Sequence, residues 1–400
     1  MNFIQKLWAN LGQLPKKTLF LLMISLTAIL AMAVSALVQI VIENRTAAHP
    51  IKLAVIAPLT GENQVIGQSV RQGAVLYAGK FNKERKLGDR PIELVFLDEA
   101  AEGTNPADLV RKAAGEGAVG VVGHWFDSKV RELESVYQAE RLPLIALSAY
   151  EEPRFPEQPW VFRTSFDTTF ETRFLANYVR NVMGEKVVNV IHPATPEGER
   201  TANIYDETMQ RFGSKVLYKW TYGVHEAGLS EQAQAFAREI NEKKLIGYLL
   251  VVGDARDSAA IIAGLRANNV KNRIIGLRTL ATKAFQSYLE EFWKGEASLP
   301  AILSGSLLTT PLLFDTAGEA AQRARSAYVS AYGEAPDWVA IQAIDGISVL
   351  AHTLTELGVP EETSIVDQRQ RLREELLTMD RLDKTRPGVN GPIVLNPKRN

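Results

Sequence analysis

Residues 51–61, IKLAVIAPLTG, contain the segment that decides the fold. Six of the first seven residues are apolar, and a Pro-Leu-Thr-Gly turn then stops the run. A short apolar run that ends at a turn predicts a buried β-strand. Residues 67–83 show the apolar spacing of a helix, so the chain opens as strand, loop and helix.

The same alternation continues along the chain and occurs twice. Strands are predicted at 91–98, 118–123 and 144–147, with helices at 105–116 and 128–140 between them. A second series of similar length comprises helices 168–183, 198–212, 229–243 and 256–268 and strands 186–191, 215–220, 246–252 and 273–277. Short apolar strands alternating with helices predict an α/β fold with parallel sheets, here in two Rossmann-like lobes. Ligands of such sheets bind at the carboxyl ends of the strands.

The last third of the chain adds helices more than strands. Helices are predicted at 316–332, 337–357 and 366–378, and we expect them to return to the first lobe. The predicted bounds are 51–165 and 310–390 for lobe 1, and 166–309 and 391–400 for lobe 2.

An uncharged segment precedes both series. Residues 18–42, TLFLLMISLTAILAMAVSALVQIVI, form 25 residues without a charge. A helix of that length, at about 1.5 Å per residue, is long enough to cross a hydrocarbon core of about 30 Å. The segment therefore predicts a transmembrane anchor, followed by a polar linker at 43–50.

The flanks of this segment predict its orientation. Lys6, Lys16 and Lys17 precede it, whereas Glu43 and Arg45 roughly cancel after it. Because positive flanks stay in the cytoplasm, residues 1–17 should be cytoplasmic and the globular body should lie in the periplasm, tethered to the inner membrane. The alternative is a signal peptide that is cleaved near residues 34–36, Val-Ser-Ala.

Composition excludes several classes of function. The formal net charge of −1 gives no electrostatic reason to expect nucleic acid as a partner. The absence of cysteine excludes disulfides, thiolate catalysis and thiolate metal sites, and the five histidines show no zinc-binding spacing. The loop after residue 57 is neither a G-x-G-x-x-G nor a P-loop motif, and the chain has no G-x-S-x-G elbow. We therefore predict a protein that is not an enzyme and has no cofactor or metal.

Three groups of side chains follow predicted strands. Trp125, Phe126, Asp127 and Ser128 place two aromatic rings where polar residues are usual, which favours contact with a ligand. The pair Asp98-Glu99 and the residue His124 fit structural roles better, the acid pair as an exposed helix-capping group.

With these features in view, the chain resembles the type I periplasmic solute-binding proteins of the branched-chain amino acid (Leu/Ile/Val-binding) family over about 51–400. The resemblance lies in the order and spacing of short stretches rather than in one motif. These stretches are Ile51–Val55 with Thr60-Gly61, Gly73-Ala74, Asp98 with Asn105-Pro106, Val121–His124, Phe162–Thr164 and Asn390–Ile393.

The resemblance implies how the lobes are joined and what they do. Three crossovers are expected near 164–167, 308–311 and 389–392. A small molecule would bind between the lobes and be trapped by a hinge motion, which lets a transporter distinguish loaded from empty protein.

The resemblance also assigns ligand-binding positions, and the residues there depart from the amino-acid pattern. The carboxylate-binding serine of the family falls on Asp127, and the threonine of the next loop falls on Tyr150 after Ser148 and Ala149. The family's acidic position falls on Arg278, and its second-lobe aromatic positions fall on Glu197 and Asp254. A carboxylate at Asp127 would repel an α-carboxylate. The ligand is then a zwitterion bound in reverse or another small molecule, unless Asp127 and Arg278 simply pair across the cleft.

Two functions fit this pattern. The first is a membrane-tethered binding protein that delivers a small polar, amino-acid-like solute to an ABC permease. The second is the extracellular sensing domain of a receptor with a downstream signalling module, since family members usually continue beyond the third crossover.

Overall fold

The first lobe is built on a parallel sheet of five strands. The computed structural model describes residues 15, 17, 18, 20, 25, 27–35, 49–87, 90–125, 127–147, 160–224, 228–358, 360 and 362–395. The strands of the first lobe are β1 (Ile51–Ala57), β2 (Ile92–Asp98), β3 (Gly120–Gly123), β4 (Leu144–Ala146) and β5 (Val161–Arg163), in the order β2-β1-β3-β4-β5. Each neighbouring pair is parallel, and β1 is in register with β2 along its whole length.

The second lobe repeats this topology. Its strands are β6 (Val187–Pro193), β7 (Lys215–Tyr222), β8 (Tyr248–Val251), β9 (Ile274–Gly276) and β10 (Leu307–Leu308), in the order β7-β6-β8-β9-β10. The order 2-1-3-4-5 is therefore common to both sheets. The prediction of two parallel-sheet lobes of α/β type is confirmed.

The helices lie in chain order between and after these strands. They are α1 (Gln64–Lys83), α2 (Pro106–Gly115), α3 (Asp127–Ala139), α4 (Thr168–Asn177), α5 (Pro196–Arg211), α6 (Leu229–Glu242), α7 (Ala255–Ala267), α8 (Lys283–Phe292), α9 (Leu299–Ile302), α10 (Glu319–Tyr332), α11 (Trp338–Leu357) and α12 (Ile365–Thr378). One π-helical turn, Tyr178–Val182, extends α4. An antiparallel ribbon of β11 (Arg386–Gly388) and β12 (Gly391–Ile393) ends the described chain.

Burial explains why the strands read as continuous apolar runs. Every residue of β3 and all but one of β1 are buried, as expected for strands covered by helices on both faces. Helix α11 packs closely on α1. The absence of a side chain at Gly73 allows this, since a Cβ atom there would lie 2.2 Å from the carbonyl oxygen of Ala340. Arg369 of α12 donates from Nε to the carbonyl oxygen of Ala118 at 2.8 Å, which anchors that helix beside β3.

The sequence prediction missed several short elements. They are β5, β10, the ribbon β11–β12 and the helices α8 and α9. Strands of two or three residues are too short to show a periodicity. The prediction also ran helix 168–183 straight through, whereas the structure changes from α to π winding at Tyr178.

The predicted anchor at 18–42 lies largely outside the described residues, although residues 27–35 are helical. None of the helices that the structure describes combines the length and the apolar character needed to span a bilayer. The chain divides into two units, 1–50 with 88–91 and the remaining residues, and everything below concerns the second unit.

Candidate functional site

The carboxyl ends of strands from both lobes meet in this structure. Glu62, in the loop after β1, forms an ion pair of 3.6 Å with Arg256, which lies just after β8. The hydroxyl group of Tyr288 on α8 donates to the carbonyl oxygen of the same Glu62. Residues that follow β1 in one lobe and β8 in the other are therefore in contact, as a ligand site between two sheets requires.

The loop after β3 contributes aromatic surface to this region. Trp125 is half-buried, and its ring centroid lies 5.6 Å from that of Trp338 at the start of α11. Asp127 is the first residue of α3, and Ser128 is the second. The helix therefore begins within the predicted binding tetrad, although the side chains of Asp127 and Ser128 lie outside the structural description.

A buried polar chain lies directly beneath that loop. Glu99 accepts the backbone N–H of Trp125 at 2.9 Å and contacts His124 Nδ1 at 2.8 Å. His124 Nε2 lies 2.7 Å from the hydroxyl oxygen of Tyr137 on α3. All three side chains are almost completely buried. Burial and the neighbouring Glu99 carboxylate raise the pKa of Tyr137, so its hydroxyl keeps its proton at neutral pH.

The structure contradicts the prediction for Glu99 and explains the local role of Asp98. We expected Glu99 to be an exposed capping group, but it is only 3% exposed and holds the loop of Trp125. Asp98 does act locally, since it accepts from Leu59 N at 2.9 Å and from the hydroxyl of Thr60. Burial alone would raise the pKa of Asp98, but the hydrogen bonds from Thr60 and from backbone N–H groups outweigh it and lower that pKa.

Arg278 follows β9 and lies at the rear of the region, where the chain passes between the lobes. Its Nε donates to Glu171 at 2.8 Å, and its backbone N–H donates to the same carboxylate at 2.7 Å. Its Nη atoms donate to Ser165 and to the carbonyl oxygen of Phe166, at 3.2 and 2.7 Å. The guanidinium also stacks 4.5 Å from the centre of the Phe166 ring.

This arrangement joins two of the three predicted crossovers to both lobes. Glu171 lies in the first turn of α4 and also accepts from the hydroxyl group of Thr309 in the second crossover. Trp338 of the first lobe donates its indole N–H to the carbonyl oxygen of Arg278 at 3.0 Å. Arg278 and Glu171 are 3% and 2% exposed, so their ion pair is buried at the junction of the lobes.

Residues at the predicted third crossover bind to the predicted second crossover and to α11. Val389 donates its backbone N–H to Asp345 at 2.7 Å, and the side chain of Asn390 donates to the carbonyl oxygen of Pro311 at 2.9 Å. Burial raises the pKa of Asp345 to about 7, although the hydrogen bond from Val389 opposes that rise. The acid of α11 that holds the predicted third crossover therefore has a pKa raised by burial to near neutral pH.

The remaining predicted ligand residues have different surroundings. Asp254 caps α7 by accepting from Asp257 N at 2.8 Å, and Glu197 is exposed in the first turn of α5. Phe126, Ser148, Ala149 and Tyr150 lie outside the described residues. Within the described part of the chain, no group of His, Asp and Glu side chains could hold a metal ion.

Several residues of this region escaped sequence reasoning. They are Glu171, Thr309 and Trp338, which lie in helices or loops with no motif. The partners of Glu171 and Thr309 are more than a hundred residues away along the chain, and the partner of Trp338 is 60 residues away. One signal was present, because a tryptophan in the first turn of a helix, after Pro336 and Asp337, is unusual on a solvated face.

Comparison with known proteins gives one family. The family model described as "Periplasmic binding protein" matches residues 50–399. The leucine-, isoleucine-, valine-, threonine- and alanine-binding protein of Pseudomonas aeruginosa is 26% identical over 172 residues, which are 42% of this chain and 46% of that protein. A Leu/Ile/Val-binding protein homolog of Brucella abortus is 27% identical over the same length. The alignments thus span less than half of these curated relatives.

Solved structures share the fold. A branched-chain amino acid transporter substrate-binding protein from Streptococcus pneumoniae, in complex with isoleucine, superposes with a TM-score of 0.68 at 17% identity, covering 86% of this chain and 91% of that one. An ABC transporter solute-binding protein from R. palustris, in complex with 4-hydroxybenzoate, gives 0.69 at 16% identity and covers 87% and 89%. The fold is thus that of type I periplasmic binding proteins.

Proposed function

Because the chain belongs to the periplasmic binding protein family, we propose that it binds a small organic solute between its two lobes and delivers it to an ABC importer. Membership in a family of binding proteins also agrees with the prediction that the chain is not an enzyme. The observation that carries the proposal is the contact of Glu62, in the loop after β1 of one lobe, with Arg256 and Tyr288 of the other.

The proposed ligand combines an apolar body with charged ends. Trp125 supplies aromatic surface, and Asp127 begins α3 at the carboxyl end of β3. Isoleucine and 4-hydroxybenzoate, the ligands of two similar structures, each join a carboxylate to an apolar body. A carboxylate at Asp127 favours a cationic group beside it, so an amino-acid-like zwitterion whose ammonium faces Asp127 fits the loop best.

The resemblance supplies the other proposed contacts. They are Phe126, Ser128, Ser148, Ala149, Tyr150, Glu197 and Asp254. Arg278 remains a candidate for the anionic end of the ligand, but its present contacts with Glu171, Ser165 and Phe166 support a role in positioning the lobes. The lobe bounds and the three crossovers listed above are part of this proposal.

We propose that residues 18–42 tether this body to the inner membrane, with residues 1–17 in the cytoplasm and the body in the periplasm. The uncharged segment and its basic amino-terminal flank support the tether. N-terminal sequencing of the membrane fraction should begin at or near Met1. A mature chain that begins near Leu37 in the soluble fraction would contradict the tether and leave the ligand site unaffected.

Ligand identification tests the function directly. Native mass spectrometry of the purified protein should reveal a small solute, and calorimetry with branched-chain amino acids and hydroxybenzoates should identify its class. Asp127→Ala should weaken binding of a zwitterion by roughly 100-fold or more, because the ammonium group of the bound ligand loses its carboxylate partner. The exposed Asp315→Ala is the matched control and should bind like the wild type. Equal affinity in both variants would refute the charged contact.

The importer is favoured over a sensory receptor by the similar solved structures, which are named as parts of transporters. Solute uptake should fall when the gene is deleted, and it should recover with the wild-type chain. A transcriptional response to the solute with unchanged uptake would favour the receptor.

A further inference from the structure

A row of aromatic rings lies on the solvent-facing side of α4 and the turn that extends it. Phe166, Phe170, Phe174 and Tyr178 follow one another at intervals of four residues, with ring centroids 5.6, 6.5 and 6.3 Å apart. Phe170 and Phe174 are 55% and 52% exposed. The opposite side of the helix is buried through Thr172, Leu175, Ala176 and Val179. The aromatic row is therefore additional to the face that packs on the lobe.

Further apolar side chains extend the row at its far end. Val182 is 65% exposed and Met183 is 39% exposed. Arg180 donates from Nε to the backbone carbonyl oxygen of Phe212 at 3.2 Å, and Phe212 is 38% exposed. Phe170, Phe174, Val182 and Met183 are thus exposed apolar side chains within one short segment, and such a group marks an interaction surface.

The exposed charges of this segment have one sign. Residues 168–183 contain two basic residues, Arg173 and Arg180, and one acidic residue, Glu171. Glu171 is buried and paired with Arg278, so the exposed charge of this segment is positive. Aromatic rings between arginines are the composition of surfaces that lie at a bilayer interface, where rings enter the headgroup region and arginines bind anionic lipids.

We propose that this aromatic row docks the body onto the anionic lipid surface of the membrane that tethers it. The inference rests on the tether under Proposed function. The linker 43–50 has eight residues and spans at most about 29 Å when fully extended, which keeps the body beside the bilayer. A surface with only two arginines and a few rings is a weak membrane anchor by itself, and a tether supplies the second attachment that makes such a surface sufficient.

A fluorescent reporter tests this docking in the full chain. The protein has no cysteine, so Asn177→Cys, between Phe174 and Tyr178, gives one site for an environment-sensitive dye. The labelled chain is reconstituted into bilayer discs of phosphatidylcholine alone or with phosphatidylglycerol. We expect blue-shifted emission with phosphatidylglycerol and little shift without it. Val329→Cys on α10, 41% exposed, is the matched control and should respond to neither lipid.

Substitutions in the row separate the sources of the signal. Phe170→Ser with Phe174→Ser should abolish the shift. Arg173→Gln with Arg180→Gln should lower the ratio of docked to undocked body by about thirtyfold, since each arginine near an anionic surface contributes about 1 kcal/mol. A shift that persists in both double variants, or no difference between the two lipids, would overturn the proposal. A shift in lipid-free detergent that grows with protein concentration would assign the row to a second copy and would also overturn it.

The tether and the docking surface fail in different ways. If N-terminal sequencing shows that residues 18–42 are removed, the labelled protein is added to vesicles of the same two compositions. A response to phosphatidylglycerol vesicles then supports the docking surface without the tether, and no response overturns it.

Discussion

The indole N–H of Trp338 donates to the main-chain carbonyl oxygen of Arg278 across 3.0 Å. Trp338 begins α11 of the first lobe, whereas Arg278 follows β9 of the second. The same Arg278 uses its side chain and its N–H to hold Glu171. One residue thus connects both lobes through separate groups of atoms, so a motion of the lobes must preserve or exchange these bonds.

Truncating Arg278 should destabilise the protein as well as change binding. Arg278→Ala leaves the Glu171 carboxylate buried with one fewer charged partner, and we expect a cost of about 3–5 kcal/mol in the free energy of unfolding. Because Glu171→Ala removes the same pair, the double variant should cost less than the sum of the two single variants. Urea unfolding of all three variants measures this coupling. Strictly additive costs would show that the pair contributes no coupling energy.

The indole N–H of Trp338 should contribute measurably to the contact between the lobes. Trp338→Phe keeps an aromatic ring and removes the donor to Arg278, which should cost about 1–3 kcal/mol of stability because a buried acceptor loses its partner. Trp293→Phe is the matched control, since its indole N–H donates at 2.7 Å to an exposed Ala297 carbonyl. Thermal and urea unfolding should show a larger loss for Trp338→Phe than for the control.

Asp345 should make stability depend on pH. Its folded-state pKa of about 7 lies above the ordinary value of 3.8, so the folded protein binds the extra proton. This contribution is complete below about pH 4 and is lost as the pH rises to about 7. Asp345→Asn keeps an acceptor for Val389 N–H and cannot ionise. It should be more stable than the wild type at pH 8, by roughly 2–4 kcal/mol, with no such gain at pH 4.

The neighbour of Asp345 requires a control. His352 lines the same cavity, and burial is the main cause that lowers its pKa. The pH series is therefore repeated with His352→Gln added to the wild type and to Asp345→Asn. Parallel stability curves for Asp345→Asn and the wild type between pH 4 and pH 8 would contradict the assignment.

The hydroxyl group of Tyr137 should stabilise the loop that carries Trp125. Tyr137→Phe removes the partner of His124 Nε2 in a fully buried site, with an expected cost of about 1–3 kcal/mol. Tyr205→Phe is the matched control, because the Tyr205 hydroxyl is also buried but has no hydrogen-bond partner among the residues that the structure describes. That variant should retain or gain stability. Tryptophan fluorescence should also change in Tyr137→Phe if the Trp125 loop moves.

The main elements of the fold follow from local pattern. The run at β1, the helix at α1 and their repetition could be predicted because strands buried on both faces are continuous apolar runs and helices show a different period. The predicted helix 229–243 and the observed Leu229–Glu242 differ by one residue. The tetrad from Trp125 to Ser128 was also visible, since aromatic rings at the end of a strand are unusual in a loop.

The sequence by itself determined the alternation of strands and helices, the two lobes and the positions of the loops at the strand ends, because these depend on residues close together along the chain. The tertiary structure alone decided the partners of the charged groups. Arg278 pairs with Glu171, 107 residues away, and Glu99 after β2 holds Trp125 after β3, although β1 lies between these two strands. A charged residue is visible in the sequence, but its partner depends on which distant side chains the packed lobes bring within hydrogen-bonding distance. Burial then stabilises that pairing, because an unpaired buried charge has a high free-energy cost.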